Sequence, residues 1–315
     1  MPHSQRIFVS SPSFAKNSFL RDRLSSTFPE LEVNYTKSTK DVTDKDEFLI
    51  EAQKSDYLII GREILDMEVC GKLKHLKGIS KYGVGLDNVD QQALKEFGVP
   101  FYAQAGVNAD EVVELTLCHM ISLQRKVFVG CANLKKGIWK KDGGTNLSGK
   151  RVGIIGFGNI GTRLAKVLSV LGCEVYANDI LDKKVEARET SVRLSTKEEI
   201  YTQCDVVSLH TPLTNLTRHM IGERELQMMK PEAILINTAR GGLVSEGDLT
   251  EALTNRQIAG AAVDVFETEP PSCSDLISLE NFHCTPHIGG SSREASNKMG
   301  LAAIAGISRF LGHNT

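Results

Sequence analysis

Three side chains in this sequence are of the types that carbonyl reduction, or the reverse oxidation of an alcohol, would use. Arg240 lies in NTARGG, Glu269 in VDVFETEP and His287 in TPHIGG, each just after a short apolar run or a strand-like segment. A guanidinium can grip a carboxylate or carbonyl oxygen through two parallel hydrogen bonds, which an ammonium cannot copy. A carboxylate beside an imidazole stabilises its charged form and fixes its tautomer. An imidazole held in this way can give and take a proton near neutral pH. Arg240 therefore reads as a substrate-orienting cation, and Glu269 with His287 as an acid–base pair. Spacing does not prove that the pair meets. By position alone His287 equally suits a structural histidine; for Arg240 the lesser alternative is a structural partner for a helix C-terminus. Among the eight histidines, His210 also follows a strand-like run, whereas His119 falls in mid-helix. His287 stands between a proline and two glycines, in turn chemistry rather than in a regular element.

A second constellation points to a dinucleotide. GFGNIG places Gly156, Gly158 and Gly161 in G-x-G-x-x-G spacing, after the apolar run VGII and before the helical pattern NIGTRLAKVLSVLG. The run CEVYAND then ends in Asp179, about twenty residues on. Gly156 permits the tight turn, Gly158 lets backbone approach a pyrophosphate, and Gly161 lets helix and strand pack closely. The helix N-terminus offers unpaired N–H groups and the positive end of a dipole. Asp179 can accept from both ribose hydroxyls and would repel a 2′-phosphate, so the cofactor reads as NAD.

The elements that must position these residues alternate along the chain. Arg6–Ser10, Leu31–Tyr35, Asp56–Ile60, Gly78–Tyr82 and Pro100–Ala103 read as strands separated by amphipathic stretches. One helical stretch is expected over about Asn108–Lys136, ahead of the polar, glycine-rich KKDGGTNLSGK. A second series follows: RVGIIG, CEVYAND, DVVSLH, AILINTA, IAGAAVDVF and FHCTP. A last helix is expected over about Ser292–Leu311, with Ser291 and Glu294 at capping-box spacing. The pattern predicts an α/β protein of two doubly wound parallel-sheet domains. A Rossmann NAD-binding domain, 105–288, is expected to be inserted in a flavodoxin-like substrate domain, 1–104 and 289–315. Hinges are expected near Ala103–Gly106 and His287–Gly290, so that His287 faces a cleft between domains.

The bulk numbers exclude several classes. Lys+Arg number 37 against Asp+Glu 39 in 315 residues, which gives no electrostatic case for nucleic acid or anionic membrane as partner. Seven scattered cysteines, with no CxxC and no zinc spacing, suit reduced thiols in a cytoplasmic protein and predict no metal site. The N-terminus lacks the pattern of a signal peptide, and no apolar run is long enough to cross a bilayer.

The segments KYGVGLDNVD, GFGNIG, SLHTPLT, NTARGGLVSE, VDVFETEP and TPHIGGSSREA together resemble the D-isomer-specific 2-hydroxyacid dehydrogenase family, most closely its 3-phosphoglycerate dehydrogenase-like branch. The resemblance implies that Arg240 orients the substrate, that Glu269 supports the histidine and that His287 is the acid/base. It implies that the backbone N–H groups of Val84 and Gly85 meet the substrate carboxylate, with Tyr82 and Asn108 nearby. It also places Asp264 on the nicotinamide carboxamide. Asn159, Ile160, His210, Thr211, Pro212, Thr217, Thr238, Ala239, Gly289 and Gly290 join the glycine loop around NAD. A homodimer is implied, with the long helix and Trp139 near the contact. Val113 stands where the family often has alanine, and no serine-responsive C-terminal domain is expected. Arg62, Lys81 and Arg151 are candidate phosphate partners, Arg62 the preferred one. The substrate is expected to be D-3-phosphoglycerate, or else a smaller acid of the glyoxylate, hydroxypyruvate or lactate type. A rival of another class is an NAD(H)-sensing corepressor-like protein.

Overall fold

Short β-branched runs become strands, those at the sheet centres buried on both faces, and helices fill the connections. The computed structural model describes residues 5–40 and 44–313. The chain divides into two compact units, Met1–Asn108 with Ser292–Thr315, and Ala109–Ser291.

In the first unit β1 (Arg6–Val9), β2 (Glu32–Tyr35), β3 (Tyr57–Ile60), β4 (Gly78–Lys81) and β5 (Phe101–Tyr102) form a sheet of order β2-β1-β3-β4-β5. All the pairs are parallel, and the order is the flavodoxin-like one. The period-2 alternation of a strand separates two cores. Phe8, Leu58, Ile60 and Ile79 face one of them, while Ile7, Val9, Tyr57 and Ile59 face the other. Each fully buried aliphatic side chain contributes about 2 kcal/mol by leaving water. The last helix, Arg293–Phe310, closes the second core with Ala303, Ile304 and Ile307. Its close approach to β4 needs glycine: a Cβ on Gly78 would lie 2.2 Å from the Phe310 ring. The cap of this helix is one residue later than expected. Ser292, not Ser291, is the N-cap, and its hydroxyl accepts from Ala295 N–H. Ser291 is instead used in the preceding turn, where its N–H donates to Ile288 O.

In the second unit β6 (Arg151–Ile155), β7 (Glu174–Asn178), β8 (Arg193–Leu194), β9 (Val206–Leu209), β10 (Ile234–Asn237), β11 (Gly260–Val263) and β12 (Phe282–Cys284) order as β12-β11-β10-β9-β6-β7-β8. All are parallel. The strand order reverses between β6 and β9, the Rossmann arrangement that places a ligand crevice at the carboxyl ends of those strands. β8, two exposed residues long, has no apolar run to announce it.

The helix expected over 108–136 is two helices, Ala109–Gln124 and Val127–Lys135. Lys126 between them adopts φ 52°. The cause is the glycine-rich segment that follows: Thr145 N–H takes the carbonyl of Gln124 at 2.8 Å, and Arg125 Nε donates to Gly143 O at 2.8 Å. Gly144, at φ +61°, fits there because a Cβ would sit 2.0 Å from that same carbonyl.

Two histidines of this unit are held neutral. His283, in β12, is 7% exposed and packs edge-on against Phe128 at 4.6 Å, and its Nδ1 is buried without a partner. His210 shares Nε2 with the Ser208 hydroxyl at 2.9 Å, and its Nδ1 is likewise buried and unpartnered. Burial pushes both down to about 4 from the ordinary 6.5, with His119 adding to the effect at His283. The folded state therefore refuses protons that the unfolded chain accepts. Stability is full above about pH 6.5 and falls as pH drops toward 4, by up to about 2 kcal/mol per pH unit. Urea midpoints at pH 7.5, 6.0 and 5.0 should decline in that order. A midpoint constant from 7.5 to 5.0 would contradict this.

Candidate active site

The carboxyl ends of β6, β7, β9, β10, β11 and β12 carry most of the residues singled out in the second unit. At the end of β6, Gly156 has φ +97°, and a Cβ there would lie 2.4 Å from His210 O. Gly161 abuts the Gly156 carbonyl, where a Cβ would come within 2.2 Å. A Cβ on Gly158 would meet nothing within 4 Å. Gly156 and Gly161 are thus demanded by the turn and the packing, and Gly158 leaves backbone open to a ligand. Gly158 is the N-cap of the helix Asn159–Val170 and has no side-chain cap, so the helix end keeps its N–H groups for an anion. Asp179, just past β7, accepts from Phe157 N–H at 2.7 Å through one oxygen and from Leu181 N–H at 2.9 Å through the other. Its carboxylate is thereby fixed beside the loop. These features fit NAD: an open glycine, an uncapped helix end and a carboxylate at the next strand end.

After β9, His210 N–H donates to Ile155 O at 2.7 Å, which brings Thr211 and Pro212 beside the glycine turn. Thr217 Oγ1 donates to Pro212 O at 2.7 Å and closes that loop. After β10, Asn237 brackets the turn that carries Arg240. Its Oδ1 accepts from Ala239 N–H at 3.1 Å and its Nδ2 donates to Arg240 O at 2.9 Å. A Cβ on Gly241 would lie 1.8 Å from Phe266 O, so this glycine serves backbone packing rather than the approach of a ligand.

After β11 and β12, the histidine and the carboxylate meet. His287 Nδ1 is 3.0 and 2.8 Å from the two oxygens of Glu269. A carboxylate accepts, so Nδ1 carries the hydrogen and Nε2 is the atom left to exchange a proton. His287 sits at φ 53°; its N–H is held by Asp264 O at 2.8 Å and by Thr285 O at 3.0 Å.

Residues 117–289, which include all of this machinery, match the model of the D-isomer specific 2-hydroxyacid dehydrogenase NAD binding domain. The chain belongs to that family. It is an NAD-dependent 2-hydroxyacid dehydrogenase. A hydroxypyruvate reductase of Thermotoga maritima is 36% identical over 289 residues, covering 90% of this chain and 92% of the relative. A D-3-phosphoglycerate dehydrogenase of Methanocaldococcus jannaschii is 36% identical over 272 residues, covering 85% of this chain. The chain spans about half the length of that relative, 52%. The crystal structure of D-lactate dehydrogenase with NAD+ from Lactobacillus jensenii superposes with a TM-score of 0.80 at 25% identity, covering 98% of each chain.

The remaining residues expected at the site fall as follows. Asp264, 1% exposed, directs its carboxylate into the TPHIGG segment, accepting from Ile288 N–H at 2.8 Å and Gly289 N–H at 2.7 Å. Gly290 follows in the same turn. Thr238 hydrogen-bonds Thr116 at 2.8 Å, and Arg240 Nη1 donates to Ala239 O at 2.7 Å. Tyr82, Val84 and Gly85 lie past the carboxyl end of β4, and Asn108 ends the first stretch of the first unit. Asn237, Thr285 and His119 hydrogen-bond to these segments, although no motif assigns them a role. Asparagine at the end of an apolar strand, ahead of Arg-Gly-Gly, is the one local signal among them, since its side chain readily bonds nearby backbone. Nothing in the spacing announces the partnership of residues 119 and 285.

Proposed function

We propose that this enzyme interconverts a D-2-hydroxy acid and its 2-keto acid with His287 as the proton carrier. The hydrogen bonds from Nδ1 to Glu269, at 3.0 and 2.8 Å, carry the reading, because they leave Nε2 as the ring nitrogen that can meet a substrate. NAD, when bound, carries the hydride. In reduction the imidazolium gives its Nε2 proton to the carbonyl oxygen as the hydride reaches the carbon; in oxidation the neutral ring removes the hydroxyl proton. Glu269 stabilises the charged ring, and Arg240 grips the anionic end of the substrate.

We read the substrate as D-3-phosphoglycerate-like, with Arg62 as phosphate partner. Lys81 is buried, with its ammonium on Gly61 O and Asn88 Oδ1, and Arg151 pairs with Glu174 at 3.3 Å. Arg62 is exposed. A second reading, an unphosphorylated acid such as hydroxypyruvate, draws support from the near end-to-end match with the Thermotoga relative. Steady-state assays with NADH and a panel of 2-keto acids separate the two. In the first reading Arg62→Ala lowers kcat/KM for the phosphorylated keto acid by at least about tenfold and leaves unphosphorylated acids within about twofold. Equal losses for both would point to the second. Tight NADH binding without turnover of any keto acid would favour a sensor.

We also propose a homodimer formed through the helix Val127–Lys135 and Trp139. That helix has no buried residue. Phe128, Leu134, Ile138 and Trp139 are 45, 57, 50 and 76% exposed, an apolar patch of the kind that marks an interface. Sedimentation velocity at micromolar concentration should show a species of two chains; a single-chain species would overturn this.

A further inference from the structure

The segment that carries the imidazole is anchored from behind by residues that have no part in the acid–base pair. His287 occupies a backbone region that is costly for any side chain with a Cβ. The following turn is held through the Asp264 carboxylate, which takes the N–H groups of Ile288 and Gly289. The same carboxylate accepts a third hydrogen bond, from Thr285 Oγ1 at 2.6 Å. A hydroxyl has one proton, and Thr285 directs it to Asp264. Its 3.2 Å contact with His119 Nε2 must then be one in which the ring donates. This assigns His119 as the Nε2–H tautomer. The ring is 1% exposed, its Nδ1 is buried without a partner, and burial lowers its pKa, so it is neutral.

His119 stands on the helix Ala109–Gln124. One turn earlier, Thr116 donates to Val112 O at 2.7 Å, so the Thr238 hydroxyl must donate to Thr116 across 2.8 Å. One helix face therefore holds both the turn that carries Arg240 and the turn that carries His287.

We propose that His119 and Thr285 are positioning residues for proton transfer. Through the Asp264 carboxylate they hold the backbone of Ile288 and Gly289, and with it the catalytic imidazole, in its reacting orientation. The inference rests on the reading of His287 as the acid/base. Thr285→Val keeps the shape and removes the hydroxyl. It should lower kcat about 10- to 100-fold, the range typical of groups that orient a reacting residue, with KM for the keto acid and Kd for NADH within about threefold. Thr285→Ser should restore kcat to within about threefold of the parent, since it returns the same donor. His119→Phe should lower kcat about tenfold, and His119→Gln, which keeps a donor, should recover most of it. The double variant H119F/T285V should be no slower than T285V, because the residues act as one chain. Hydrogen exchange at the Ile288 and Gly289 amides should quicken about tenfold in T285V, an effect read without turnover.

An unchanged kcat in T285V, losses that multiply in the double variant, or a T285S as slow as T285V would each overturn the proposal. His287→Asn assayed alongside separates the two levels. If it retains kcat, the acid–base reading itself fails; if it is inactive while T285V is normal, only the anchor fails. Should T285V not fold, the His119 pair and the exchange rates in T285S decide the matter.

Discussion

His287→Asn lowers kcat for keto-acid reduction by about a thousandfold, within the range that a lost general acid costs, while Kd for NADH stays within about threefold. The substitution is chosen for the backbone. His287 adopts φ 53°, and asparagine tolerates that region better than other residues with a Cβ. Its amide can also donate to Glu269 in place of Nδ1–H. The loop is therefore kept and the proton is lost. Equal losses in turnover and NADH affinity would falsify the assignment.

Gly241→Ala produces the second large effect, and it acts through packing. The added Cβ would lie 1.8 Å from Phe266 O and 2.1 Å from its carbonyl carbon, both backbone atoms that cannot swing aside. The turn holding Arg240 has to separate from the end of β11. A clash of this kind costs about 3 kcal/mol or more, or about 10 °C in Tm for a unit of this size. Arg240 would shift with the turn, and a displacement of about 1 Å in a substrate-orienting group costs about a hundredfold in kcat/KM. Gly242→Ala serves as the comparison. There φ is +74° and the nearest neighbour is the end of the flexible Arg218 side chain at 3.4 Å, so the cost is the backbone strain alone, about 1 kcal/mol. A Gly241→Ala protein with unaltered Tm would overturn this account.

The two glycine motifs, GFGNIG and ARGG, show where reading a sequence succeeds and where it does not. In GFGNIG the spacing itself states the geometry, because a strand, a tight turn and a helix are contiguous in the chain. The positive φ of Gly156, the close approach at Gly161 and the open Gly158 follow from local chemistry. Gly241, directly after Arg240, looks similar on paper but answers to a residue 25 positions later, and no local pattern reports that approach. The helix over 108–136 is a third instance. Its apolar periodicity continues past residue 124, and only the return of Gly143 to Thr145 onto that carbonyl ends it.

What the chain determined by itself is thus whatever depends on neighbours in sequence: the alternation of strands and helices, the nucleotide turn, and the placing of Arg240, Glu269 and His287 at strand ends. The tertiary structure alone decided which distant groups share a hydrogen bond. Nδ1 of His287 against Glu269, Thr285 against Asp264, and His119 against Thr285 are pairings across 18, 21 and 166 positions. The physical reason is that a hydrogen bond is made or lost within about half an ångström. The register of parallel strands and the seating of one helix on their ends set that distance, and neither is written in the spacing of any motif.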